Sequence, residues 1–121
     1  MRRVLLVMLL ILLSGCGSTQ PTMAGKKWAD ALRDPDVRIR KRAAFTLGNI
    51  GSSDPAAFPA LVGALKDRDA SVRCEAILAL LKFGPDASDA LPALNEVCQK
   101  DTDANVRAYA AKAVEKIKDS N

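Results

Sequence analysis

Carboxylates and guanidinium groups are the side chains of this sequence best suited to acid–base or anion chemistry, and they recur at fixed spacing. Three stretches superimpose: Asp34-Pro-Asp-Val-Arg-Ile-Arg40, Asp67-Arg-Asp-Ala-Ser-Val-Arg73 and Asp101-Thr-Asp-Ala-Asn-Val-Arg107, offset by 33 and then 34 residues. Paired acids beside an arginine could relay protons or grip an anion. An active site, however, needs one constellation, whereas helix capping and ion pairing between repeats need one set per repeat. Asp36, Asp69 and Asp103 are therefore expected to cap a following helix, and Arg40, Arg73 and Arg107 to form a structural ladder. No catalytic residue is assigned.

The remaining composition narrows the chemistry further. Histidine is absent from the 121 residues, which removes imidazole bases, Ser/His and Cys/His dyads and histidine-ligated metals. Cys16, Cys74 and Cys98 are the only cysteines and show no CxxC or zinc spacing. Neither a metal nor a cofactor is expected. The formal charge of +4 falls to +2 if Arg2 and Arg3 leave with a signal segment, so nothing calls for a nucleic-acid partner.

The elements that must position these residues are helices. After each acidic turn, apolar residues follow at 3.6-residue spacing: Ile39, Ala43, Leu47, Ile50; Val72, Ala76, Leu80, Phe83; Val106, Ala110, Val114, Ile117. A shorter helical pattern precedes each turn, marked by Trp28 and Leu32, Leu61 and Leu65, Leu94 and Cys98, with Pro59 and Pro92 near helix starts. Gly51 and Gly84 stand where helix C-caps are needed. The pattern D-x-D-x-x-[VI]-R-x-x-A, present three times, resembles HEAT-type repeats, in particular the short variety of phycobiliprotein (bilin) lyases. The resemblance implies an all-α fold, a short right-handed α-solenoid of about three helical hairpins, whose surfaces bind other proteins.

The first residues carry an address. Arg2 and Arg3 precede ten uninterrupted apolar residues, Val4 to Leu13, too few for a stable membrane span of about 20 residues. Leu13-Ser14-Gly15-Cys16 then resembles the lipobox of bacterial lipoproteins, which implies cleavage before Cys16 and lipidation of its thiol. The organisation read from the sequence is a signal peptide over 1–15, a lipidated flexible tether over 16–25, repeats over 26–51, 52–84 and 85–118, and a tail over 119–121. The expected location is a cell envelope: outer membrane facing the periplasm in a Gram-negative host, otherwise the outer face of the cytoplasmic membrane.

Two surfaces stand out as candidates for recognition. Taking 100° per residue along the second helix of each repeat, Phe45, Leu78 and Leu81 fall away from the buried stripe, and Tyr109 stands where Arg42 and Glu75 stand in the other copies. They are expected to form an apolar row for a protein partner. Lys26, Lys27, Arg38, Lys41 and Arg42 make the first repeat basic, with net +4 over residues 26–42, and are candidates for facing anionic lipid. Cys74 and Cys98 fall at one end of adjacent helices, which leaves both a bridge and free thiols open. The leading expectation is a membrane-anchored, non-catalytic scaffold for protein binding. The alternatives are an enzyme or enzyme subunit resembling bilin lyases, and a structural spacer in an envelope complex.

Overall fold

A computed structural model describes residues 20–121 of the chain. The signal-like segment and Cys16 lie outside the described residues. Six α-helices follow one another: α1 (Met23–Ala31), α2 (Val37–Ile50), α3 (Ala57–Ala64), α4 (Ala70–Leu81), α5 (Leu91–Lys100) and α6 (Ala104–Asp119). Among the described residues there are no strands. The helices pair as three hairpins, as the repeat pattern requires.

Each second helix begins for the same local reason. Asp36, Asp69 and Asp103 hold extended backbone and accept amide protons of their own first turns, at 2.8 Å from Arg38, 2.8 Å from Ser71 and 2.8 Å from Asn105. These bonds satisfy donors that a helix start otherwise leaves bare. Gly51 and Gly84 adopt φ of +58° and +57°, a left-handed turn that other residues rarely take, and each opens a 3-10 segment, Gly51–Ser53 and Gly84–Ala90. Pro59 and Pro92 sit in the first turns of α3 and α5, where a missing N–H costs no intrahelical bond.

The core runs between the layers. Leu47, Leu61, Ile77, Leu80, Leu94 and Ile117 are the largest of the fully buried apolar side chains. The second helices stack closely, α2 on α4 on α6, whereas the first helices touch much less. Clefts of about 360 and 400 Å³ consequently open between α1 and α3 and between α3 and α5. The close stacking has a specific cause in Gly48. A Cβ there would lie 2.8 Å from the Ala79 Cβ and 2.9 Å from its Cα, so the α2–α4 approach depends on glycine.

Two expectations need correction. The segment read as a tether to residue 25 is folded at its end: α1 starts at Met23, Thr22 caps it by accepting from the Gly25 amide at 3.1 Å, and Gly25 is buried. The reason is Asp54, buried in the first inter-repeat turn, which accepts from the Thr22 amide at 2.9 Å and from the Thr22 hydroxyl. The second correction concerns the buried stripe of α2. Ile39 is 40 % exposed, although its counterparts Val72 and Val106 are at 0 %, and the neighbouring Arg40 is the buried side chain. Val72 and Val106 each have a hairpin stacked before them; among the described residues Ile39 has none.

Candidate functional site

The arginines form a ladder that starts from backbone geometry. The first aspartate of each D-x-D accepts the amide of the second: Asp34 from Asp36 at 2.8 Å, Asp67 from Asp69 at 2.9 Å, Asp101 from Asp103 at 2.9 Å. This fixes one carboxylate oxygen and aims the other outward. The arginine of the same repeat turns back onto that turn, with Nη1 donating to the carbonyl of Asp34, Asp67 or Asp101 at 2.8, 2.8 and 2.6 Å. Its remaining edge reaches the next repeat. Arg40 Nε meets Asp67 Oδ2 at 3.0 Å, and Arg73 Nε and Nη2 meet Asp101 at 2.8 and 2.9 Å in a fork-to-fork pair.

Both rungs are nearly dry, with side-chain exposures of 5 and 10 % for Arg40–Asp67 and 12 and 7 % for Arg73–Asp101. Burial pushes the Asp101 carboxyl up, but its hydrogen bonds from Arg73 and the Asp103 amide outweigh that and hold it below the usual carboxylate range. The same contact raises Arg73, led by its hydrogen bond to Asp101. Charges this satisfied are committed to structure. The inter-repeat partner of Arg40 and Arg73 is the first aspartate of the following motif, Asp67 and Asp101, while Asp36, Asp69 and Asp103 hold the helix starts. Two acids per repeat, where a cap needs one, were the available signal for Asp67 and Asp101. Among the described residues Arg107 has only its carbonyl bond.

The apolar row resolves into a groove and a separate shielded ring. Leu78 (39 % exposed), Leu81 and Tyr109 (43 % exposed) line one groove of about 450 Å³ between α4 and α6, rimmed by Lys112, Glu115, Lys116 and Asp119. Phe45, 49 % exposed, does not line it, because it stands on α2; the Lys82 ammonium lies over its ring at 4.4 Å from the centroid and also donates to Asn49 at 2.7 Å. Of the four expected row residues, three converge and the fourth stands apart. The model of the HEAT repeats family matches residues 25–119, nearly the whole described chain. The chain belongs to the HEAT repeat family. Comparison with curated proteins gives no match. Arrays of HEAT repeats generally serve as scaffolds for protein–protein interaction, and the fold is the short all-α solenoid the sequence implied.

Lys26, Lys27, Arg38, Lys41 and Arg42 of the HEAT array are all exposed. Arg38 pairs with Asp36 at 2.9 Å, and Arg40 leaves the basic cluster for the ladder. Cys74 and Cys98 are both half-buried free thiols; burial pushes the Cys74 thiol up, away from the reactive thiolate. Among the described residues no group of three acids or cysteines is placed to hold a metal ion. Sequence reasoning missed Thr22 and Asp54, whose contact spans 32 residues outside the repeat motif. The Thr22 hydroxyl, then the Ala56 amide, hold the Asp54 carboxyl below the usual range.

Proposed function

We propose that this protein is a lipid-anchored, non-catalytic scaffold that docks a protein partner at a cell envelope. The observation that carries the docking part is the Leu78–Leu81–Tyr109 groove. Exposed leucine and tyrosine converge there within a rim of two lysines and two acids, the apolar centre and polar edge of a recognition site. Its apolar floor and mixed-charge rim suit one face of an amphipathic helix, apolar residues in the groove and charges at the edge. The anchoring part rests on Arg2, Arg3, the apolar run and Cys16 in its lipobox-like setting. Exposed Lys26, Lys27, Arg38, Lys41 and Arg42, close in sequence to the tether, would add attraction to anionic lipid, worth about 1 kcal/mol per basic residue held near such a surface. The location follows the host: the outer membrane, facing the periplasm, in a Gram-negative cell, and the outer face of the cytoplasmic membrane otherwise.

The test is a photo-crosslinking residue in place of Tyr109 in intact cells, paired with a Leu78→Ser/Tyr109→Ser double variant. One stoichiometric partner should crosslink, and the double variant should lose that partner while keeping helical circular dichroism and melting. A large fall in melting temperature would instead make these side chains core, and absence of any stoichiometric adduct would leave docking without a partner. Mass spectrometry of the mature N-terminus checks the anchor; an unlipidated Cys16 would remove it.

A further inference from the structure

Among the described residues the ladder is open at its first and last rungs, and the two open groups are complementary. At the first hairpin, Asp34 has one oxygen fixed by the Asp36 amide, as in Asp67 and Asp101, but among the described residues no arginine meets the other. At the last hairpin, Arg107 is held by the Asp101 carbonyl, as Arg73 is held by that of Asp67, yet its Nε and Nη2 meet no carboxylate there. No buried polar side-chain atom among the described residues lacks a partner, so that free edge faces solvent. Each group is thus oriented for a bond that the interior repeats make and the ends leave unmade.

The apolar positions repeat this asymmetry. Ile39 is 40 % exposed where Val72 and Val106 are sealed by the preceding hairpin. Ala111 is exposed where Ala44 and Ile77, its counterparts, are fully buried. The end hairpins also differ in charge, with net +4 over residues 26–42 and net −2 over residues 85–121. We propose that the last hairpin of one copy stacks on the first hairpin of a second, with Arg107 forked onto the partner copy's Asp34 and with the exposed Ala111 and Ile39 both covered in the contact. Such a head-to-tail contact uses a different patch on each copy, so it leaves one head and one tail free to add further copies. The proposal rests on the ladder and not on the groove, and the two can fail separately.

Sedimentation equilibrium of the full chain in density-matched detergent tests it. The unaltered chain should associate reversibly beyond the monomer. Asp34→Arg alone and Arg107→Asp alone should each be monomeric, since each then sets like charges together. Mixed in equal amounts, they should associate again, because each junction then pairs a guanidinium with a carboxylate: the Arg107 of the first variant on the Asp34 of the second, and the two substituted side chains on each other. Asp34→Asn keeps the acceptor for the Asp36 amide while removing the charge, and should weaken association about tenfold with melting unchanged, which covers the case of a charge reversal that unfolds its turn. A monomeric unaltered chain, association indifferent to these changes, or a mixture that stays monomeric would each overturn the proposal.

Discussion

At the scale of single residues, repetition separates structure from chemistry. Arg40 and Arg73 occupy equivalent positions to Arg107, yet only the first two meet a carboxylate within the described chain. Arg73→Gln should therefore cost roughly 3 kcal/mol, the lower end of what removing one partner of a buried pair costs. Arg107→Gln should cost about 1 kcal/mol, the value of one hydrogen bond at a wetter site. Denaturant unfolding of the monomeric proteins measures both, and equal losses would refute the ladder asymmetry. Acid acts on the same groups. Asp36, Asp54, Asp69 and Asp101 all sit below the ordinary carboxylate value, so the stability they confer is complete above that value, near pH 4. It is lost as pH falls through their folded-state values. Melting temperature should hold from neutrality to about pH 4 and drop below it, with the drop reduced in Asp54→Asn.

At the scale of elements, the glycines report how tightly each helix is seated. Gly48 lies against Ala79 of the next repeat, and a methyl there meets both Cβ and backbone at under 3.0 Å. Gly48→Ala should gain up to about 1 kcal/mol of helix propensity and lose about 1–3 kcal/mol to overpacking, for a net destabilisation. Gly63, in α3, has open space where its Cβ would be. Gly63→Ala should stabilise by a few tenths to 1 kcal/mol, with melting curves of the two variants moving in opposite directions. That contrast follows from the stacking, in which second helices close up while first helices diverge. The proposed docking groove lies on the α4–α6 layer, so the elements that hold the array together would also present it.

At the scale of the whole molecule, the proposed lipid attachment and one end of the proposed stack both fall at the first hairpin. If the exposed basic residues there engage anionic lipid, vesicles rich in anionic headgroups should bind the protein, and neutral vesicles of equal size should bind it less in flotation assays. Charge removal at Lys26 and Lys27 should narrow that difference; equal flotation on both vesicle types would assign the basic charge to the solvated surface or to stacking. Much of this molecule was legible before folding. Caps at Asp36, Asp69 and Asp103, left-handed turns at Gly51 and Gly84, and the three hairpins all follow from local rules that act within a few residues and recur at a period of 33 or 34. The exposure of Leu78 followed from helical angle, and that of Tyr109 from its alignment with Arg42 and Glu75 in the other repeats. Whatever depends on a neighbouring repeat was decided only in three dimensions. Ile39 shares its pattern with Val72 but has no hairpin before it among the described residues. Arg40 reads as part of a ladder but its partner is known only once Asp67 meets it, Phe45 reads as part of a row but stands on α2 outside the α4–α6 groove, and Thr22 reads as tether until Asp54 holds it. Periodicity specifies which way a side chain points along its own helix; stacking specifies what, if anything, stands opposite.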